Sequence, residues 1–296
     1  MSLRKSALIF GLVAVMSSGA ALAAEPESCK TVRFSDVGWT DITATTATAS
    51  VILEALGYKP EVQVLSVPVT YASLKSGDID VFLGNWMPTM EADIAPYRED
   101  GSVETIVTNL TGAKYTLAVP KYTLDAGLKT FQDIAQFRDQ LDGKIYGIEP
   151  GNDGNRLILE MVKNDSFGLK DFDVVESSEQ GMLAQVARSD KAGEPIVFLG
   201  WEPHPMNANF ELTYLSGGDE VFGPNFGGAE VYTNVRAGYT EECPNVGTLL
   251  KNLKFSLLLE NEIMGAILND GVDPEDAAIA WLKANGSVIE PWLAGV

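Results

Sequence analysis

Two stretches of the sequence nearly repeat each other: VFLGNWMP at residues 81–88 and VFLGWEP at residues 197–203. Each reads as a short buried strand that ends in a glycine turn and a proline. This placement puts Trp86 and Trp201 at carboxyl ends of strands, where open α/β sheets bind ligands. Trp39 follows a third apolar run in the same way. Three such indoles predict a site with flat aromatic walls, which suits a quaternary ammonium because that cation cannot donate hydrogen bonds.

Strand-like and helix-like segments alternate along most of the chain, which predicts an α/β fold with a mostly parallel sheet. The alternation restarts near Tyr115, and residues 246–260 in the last third read as one helix. We therefore expect two lobes, with the second inserted into the first. The predicted divisions are 1–24 (signal peptide), 25–112 (first part of lobe I), 113–212 (lobe II) and 213–296 (second part of lobe I).

The N-terminus has the pattern of an export signal. Arg4 and Lys5 precede a short apolar core at residues 7–15, and a small-x-small cleavage pattern follows. We expect cleavage after Ala23 or Ala24. The apolar core is too short to span a bilayer. The sequence therefore predicts a soluble protein that works outside the cytoplasm.

The charge balance is strongly acidic, with 41 acidic and 21 basic residues. Loss of Arg4 and Lys5 with the signal peptide leaves 19 basic residues and a net charge of −22. This charge argues against nucleic-acid binding, because neutralising phosphates requires a basic patch. An acidic surface attracts cationic ligands, although the same charge also serves to keep an exported protein soluble.

Signals for catalysis and for metal binding are sparse. His204 is the only histidine, and one histidine does not make a zinc site. A structural or rim position is more common for such a residue than a role as a catalytic base. The sequence has no G-x-S-x-G, H-E-x-x-H or phosphate-loop motif. We therefore expect no enzymatic activity, no cofactor and no metal.

Cys29 and Cys243 are the two cysteines of the chain. In an oxidising compartment one even pair predicts one disulfide, and two unpaired thiols are the alternative. The bridge would join the mature N-terminus to a late segment, and both ends would lie in lobe I.

Three further residues are candidates for the same site. Tyr115 begins the first strand of lobe II. Asp41 lies two residues after Trp39, where it would either cap the next helix or face the ligand as a counter-charge or hydroxyl acceptor. Asn152 precedes a helix, where it would either cap that helix or contact the uncharged end of the ligand. The start of that helix could also bind a carboxylate through backbone N–H groups.

The chain resembles the substrate-binding proteins of bacterial ABC importers for quaternary ammonium compounds, the glycine betaine/choline class. The resemblance covers the whole mature chain and implies a two-lobed periplasmic binding protein fold, type II-like, with the ligand cleft between the lobes. The motifs that carry it are GWTD at 38–41, GNW at 84–86, KY at 114–115, GN at 151–152 and GWEP at 200–203.

The resemblance also implies roles for particular residues. Asp41 and Asn152 match positions that take the hydroxyl end of choline, and Cys29 and Cys243 match a family disulfide. The trimethylammonium group would lie in an aromatic box formed by Trp39, Trp86, Tyr115 and Trp201.

Choline is the ligand that we expect, captured by a monomeric periplasmic protein and delivered to a membrane permease. No basic residue beside the box motifs would clearly pair with the carboxylate of a betaine, and Asp41 would repel one. Glycine betaine or another betaine in the same fold is the first alternative. The second is a secreted choline-ester hydrolase, which would need a nucleophile, a base and an oxyanion hole.

Overall fold

The computed structural model of the protein describes residues 25–296, and the predicted signal peptide with its cleavage site lies outside the described residues. Within this range the strands are β1 (Thr31–Asp36), β2 (Lys59–Val64), β3 (Val81–Met87), β4 (Val103–Pro120), β5 (Lys144–Tyr146), β6 (Asp173–Val175), β7 (Phe198–Glu202), β8 (Leu212–Tyr214) and β9 (Gly228–Arg236). They share one hydrogen-bonded sheet in the order β2-β1-β3-β9-β4-β7-β5-β6, and β8 pairs with β4.

Helices connect these strands and make up most of the C-terminal segment. The longer ones are α1 (Thr40–Ala55), α2 (Val67–Ser76), α3 (Glu91–Glu99), α4 (Asp153–Lys163), α5 (Glu179–Ala192), α6 (Pro244–Asn252), α7 (Leu257–Leu268) and α8 (Pro274–Ala284). Short helical turns lie at Glu27–Lys30, Lys121–Asp125, Phe131–Phe137, Ser166–Gly168, Met206–Asn209, Asp219–Phe222, Pro224–Gly227, Tyr239–Glu242, Gly286–Val288 and Ile289–Trp292. From residue 25 onward, no helix has both the length and the apolar character needed to cross a membrane.

The sheet is mixed, so the expectation of a mostly parallel sheet is wrong. β1 pairs in parallel with β2 and β3, and β5 pairs in parallel with β6 and β7. β9 is antiparallel to β3 and β4, and β4 is antiparallel to β7 and β8. The reason is that β4 and β9 run in opposite directions through the middle of the sheet. The α/β class is confirmed, because helices still connect the parallel strands.

Strand β4 joins the two lobes. Its residues 103–114 pair with β9, and its residues 114–118 pair with β7. We use lobe I for β1–β3, β9, the first part of β4, α1–α3 and α6–α8, and lobe II for the rest of β4, β5–β8, α4 and α5. The division points at 112/113 and 212/213 stay predictions. The first falls within β4 and the second within β8.

The two repeated motifs occupy matching positions in the two lobes. Trp86 lies one residue before the end of β3, and Trp201 lies one residue before the end of β7. Close packing requires a glycine in the first motif, because a Cβ atom on Gly84 would lie 2.7 Å from the Cδ1 atom of Ile42. The peptide bond to the proline that ends each motif is cis.

The predicted helix at 246–260 is two helices, α6 and α7. Tertiary contacts interrupt it, because the backbone N–H of Phe255 donates to the carbonyl oxygen of Asn109 in β4. The side chain of Ser256 then caps α7 by accepting a hydrogen bond from the N–H of Leu259.

Strand β9 was not predicted. Its apolar side chains alternate, since Ala229, Val231 and Val235 are buried while Glu230 is exposed. This period of two is the signal that would have identified it. The strand places the chain back in lobe I after it leaves lobe II.

Cys29 and Cys243 form the predicted disulfide, with their Cα atoms 5.5 Å apart. Both residues are buried. Cys29 lies just before β1 and Cys243 just before α6. The bridge therefore ties together the two chain segments that build lobe I.

Candidate functional site

One pocket lies between the lobes. It is lined by all six residues that the sequence proposed for ligand binding, and by Ile148, which the sequence analysis missed. Lobe I contributes Trp39, Asp41 and Trp86. Lobe II contributes Tyr115, Ile148, Asn152 and Trp201.

Aromatic rings from both lobes form the walls of this pocket. Trp39, Trp86, Tyr115 and Trp201 each expose 5% of their surface or less. The ring of Tyr115 lies between two indoles, with its centroid 6.0 Å from Trp86 and 6.2 Å from Trp201. The ring planes are tilted by 60° and 79°, so the rings enclose a space and do not stack face to face. Enclosing π faces attract a cation, and exclusion of water strengthens that attraction.

Trp39 is held by a hydrogen bond that it donates to lobe II. It is the N-cap residue of α1, just after β1, and its Nε1–H donates to Oε1 of Glu149 at 2.7 Å. Burial raises the pKa of the Glu149 carboxyl, and the hydrogen bond from Trp39 opposes this shift. The contact fixes the rotation of the indole only when the two lobes lie together.

Asp41 lines the pocket from the first turn of α1. The helix begins at Thr40, so the alternative in which Asp41 caps it is wrong. Oδ2 of Asp41 accepts the Nε1–H of Trp86 at 3.1 Å, whereas Oδ1 is buried without a hydrogen-bond partner among the described residues. Burial, and next the negative charge of Glu179, raise the pKa of Asp41 to about 8. An unpartnered buried acceptor beside aromatic walls fits a ligand that brings a positive charge or a hydroxyl group.

Asn152 accepts two hydrogen bonds at the start of α4. Its Oδ1 caps the helix by accepting the N–H of Asn155 at 3.0 Å, and the same atom accepts the hydroxyl of Tyr115 at 2.9 Å. Glycine is required at position 154, because a Cβ there would lie 2.1 Å from the Tyr115 hydroxyl oxygen. The capping alternative for Asn152 is therefore confirmed, and the cap also sets the position of the Tyr115 ring.

Buried acidic side chains surround the pocket. Asp41, Asp153 and Glu179 each expose 1% or less. Burial raises the pKa of Asp153 to about 7, and a hydrogen bond with Thr89 opposes the shift. Within residues 25–296 no lysine or arginine lines the pocket. The site therefore favours a cationic ligand over an anionic one.

His204 lies behind the pocket wall and not in it. Its ring is buried against Trp201, with centroids 4.8 Å apart. The backbone N–H of Met206 donates to Nδ1 at 2.9 Å, so Nε2 carries the proton and donates to Oε1 of Glu179 at 3.1 Å. Both ring nitrogens are thus engaged in structural contacts.

Sequence reasoning missed Ile148, Glu149 and Glu179. Ile148 follows β5 just before the loop that contains Asn152, so its place after a strand was a usable signal. The two glutamates are far from the tryptophan motifs in the chain. Only the tertiary structure brings them to Trp39 and α1.

A family model described as the substrate-binding domain of an ABC-type glycine betaine transport system matches residues 30–284. That match covers most of the chain, including both lobes and every residue that lines the pocket. It confirms the family resemblance that the sequence motifs indicated.

Solved structures give the same result. An ABC-transporter choline-binding protein in complex with choline is 76% identical, with a TM-score of 0.91 over 92% of this chain and 94% of that chain. A choline-binding protein in an unliganded semi-closed conformation is 76% identical, with a TM-score of 0.85 over 91% and 94%. Lactococcal OpuAC, closed on glycine betaine, is 26% identical, with a TM-score of 0.80 over 89% and 99%. The two-lobed periplasmic binding protein fold is thereby confirmed.

Proposed function

Because this chain belongs to the family of substrate-binding domains of ABC-type glycine betaine transport systems, we propose that it captures choline between its lobes for uptake. The protein works in the periplasm as a monomer and passes choline to the permease of an ABC importer. It breaks no covalent bond in doing so. A choline-binding protein of such a transporter is 76% identical to it over nearly the whole chain.

The observation that carries this proposal is the enclosure of one pocket by four aromatic rings from two lobes. A desolvated aromatic face attracts a cation by about 2 kcal/mol. A trimethylammonium group offers no hydrogen-bond donor, so ring faces are a better match for it than polar side chains. The buried acidic side chains near the pocket also favour the positive charge of this group.

Choline is preferred to glycine betaine because of the polar groups that line the pocket. Oδ1 of Asp41 is buried without a partner among the described residues, and it would accept the choline hydroxyl or act as a counter-charge. The carboxylate of a betaine would meet Asp41 and no basic side chain from residues 25–296. Asn152 supplies a second polar contact for the hydroxyl end.

Calorimetric titration of the purified mature protein with choline, acetylcholine and glycine betaine tests the function. At a pH above 8, where Asp41 is ionised, we expect choline to bind most tightly. We expect glycine betaine to bind at least about 100-fold more weakly there, because a like-charge contact costs several kcal/mol. Tighter binding of glycine betaine would overturn the choice of ligand. No detectable binding of any of the three would overturn the proposed function.

Choline affinity is expected to rise with pH, by up to about tenfold per unit, until the pH passes 8. The reason is that Asp41, with a pKa of about 8, carries a proton at neutral pH when no ligand is present. A bound cation favours the ionised carboxylate, so binding expels this proton. Glu179 from α5 and Glu260 from α7 also act on this equilibrium, because each has an electrostatic interaction with Asp41.

Asp41→Asn should lower choline affinity and flatten its dependence on pH. The matched control is Asp78→Asn, because Asp78 is exposed and lies just before β3, at the end opposite to Trp86. Titrations at several pH values would measure both variants. An unchanged pH slope in Asp41→Asn would assign the proton to another group.

A further inference from the structure

Glu179 is a buried carboxylate that joins the two lobes. It is the first residue of α5 in lobe II, and its side chain has no exposed surface. Oε2 accepts the backbone N–H of Thr40 in lobe I at 2.8 Å. Oε1 accepts the Thr40 hydroxyl at 2.6 Å and the Nε2–H of His204 in lobe II at 3.1 Å. Both carboxylate oxygens are thus used, and one residue receives hydrogen bonds from both sides of the cleft.

On the lobe I side, Glu179 replaces a missing helix cap. The N-cap residue of α1 is Trp39, whose side chain makes no capping hydrogen bond. A helix start has unpaired N–H groups and a partial positive charge, which a carboxylate stabilises. Glu179 satisfies the first of these groups at Thr40, between the two pocket residues Trp39 and Asp41.

On the lobe II side, Glu179 acts on the opposite wall of the pocket. It accepts the proton on Nε2 of His204, and the His204 ring packs edge-on against Trp201. The backbone N–H of Met206 holds the other ring nitrogen. The orientation of this imidazole, and with it the support behind the Trp201 indole, therefore depends on the carboxylate.

We propose that Glu179 holds the lobes in the closed state through its hydrogen bonds with Thr40 and His204, a contact that we call the latch. Glu179 is also a positioning residue for the ligand site. It couples closure of the lobes to the placement of Trp39, Asp41 and Trp201. The proposal rests on the function proposed above. Another contact between the lobes, Arg156 with Asp93, has side chains that are 29% and 15% exposed, whereas Glu179 is shielded from water.

A latch that forms only on closure acts mainly on ligand release. Choline enters before the contact from Glu179 to Thr40 exists, so the association rate constant is nearly independent of it. Release requires breaking hydrogen bonds to a buried charge, which are among the stronger ones in proteins. Loss of the latch should therefore appear in the dissociation rate constant.

Glu179→Gln tests the carboxylate with little change in shape. A glutamine cannot satisfy all three donors, because its NH2 group must face either the N–H of Thr40 or the Nε2–H of His204. Thr40→Val tests the same latch without changing any charge, since it removes only the hydroxyl donor. Thr40→Ser keeps that donor. Glu194→Gln is the matched control for loss of one negative charge, because Glu194 is exposed beyond the end of α5.

Stopped-flow tryptophan fluorescence with choline measures both rate constants in each variant. We expect Glu179→Gln to raise the dissociation rate constant about tenfold or more, with an association rate constant within about threefold of wild type. Thr40→Val should raise dissociation about fivefold, and Thr40→Ser should raise it less. The double variant Glu179→Gln/Thr40→Val should exceed Glu179→Gln only slightly, because the two side chains share one contact.

Three outcomes overturn the latch. The first is wild-type dissociation in both Glu179→Gln and Thr40→Val. The second is a raised dissociation rate constant in Glu179→Gln together with a wild-type rate constant in Thr40→Val. That result would mean that Glu179 acts only through its charge. The third is an equal effect of Glu194→Gln. If Glu179→Gln does not fold, Thr40→Val against Thr40→Ser decides the matter. Failure of the wild-type protein to bind choline would instead refute the proposed function.

Discussion

Replacing Trp86 or Trp201 with alanine is expected to weaken choline binding by about 100-fold or more, while the chain still folds. Each substitution removes one wall of the pocket. The lost attraction of the cation to a desolvated ring accounts for about 30-fold by itself. The rest comes from water, which would enter the opened space and screen the remaining rings.

Calorimetry with choline measures this effect, and circular dichroism of the free protein reports folding. The matched control is Trp281→Ala, because Trp281 lies in α8 and does not line the pocket. Trp86→Phe should fall between wild type and Trp86→Ala, since it keeps a ring but loses the hydrogen bond to Asp41. Wild-type choline affinity in both alanine variants would refute the proposal that the aromatic box binds the cation.

Replacing Cys29 and Cys243 together with alanine is expected to lower the free energy of unfolding by about 4 kcal/mol. The bridge joins residues 214 positions apart, so in the unfolded chain it restricts a very long loop. Both cysteines are buried, and alanine avoids placing unpaired hydroxyl groups there.

Urea unfolding followed by tryptophan fluorescence measures the loss. Wild-type protein treated with a reductant and unfolded in its presence should approach the midpoint of the variant. Choline affinity of the folded variant should stay close to wild type, because neither cysteine lines the pocket. Equal midpoints for wild type with and without reductant would show that the bridge does not stabilise the fold.

The tryptophan motifs were predictable because their signals are local. An apolar run and a proline define a strand end within eight residues, and this pattern placed Trp86 and Trp201 correctly near strand ends. The predicted glycine turns were wrong, because Gly84 and Gly200 lie inside the strands, which continue to the residue before each proline. The same reasoning put Trp39 between a strand and a helix, which is its position in the structure. Short-range sequence patterns sufficed because strand ends depend on neighbouring residues.

The elements that failed depend on distant contacts. The helix expected at 246–260 breaks because Phe255 pairs with Asn109, which lies far earlier in the chain. The mostly parallel sheet was wrong because β9 returns antiparallel beside β3 and β4. Whether two strands pair in parallel or antiparallel depends on the direction in which a distant chain segment re-enters the sheet. A short stretch of sequence does not contain that information.

The residue types in the motifs were enough to predict the chemistry of the candidate site, since aromatic faces and acids select a cation whatever their order in the chain. The assembly of these residues into one site depends on the packing of the two lobes. That packing decided between the two alternatives for Asp41 by placing it in the pocket, and it gave the capping of α1 to Glu179, 139 residues away. The physical reason is that a helix start accepts any carboxylate that reaches it, and the contact between lobes determines which one does.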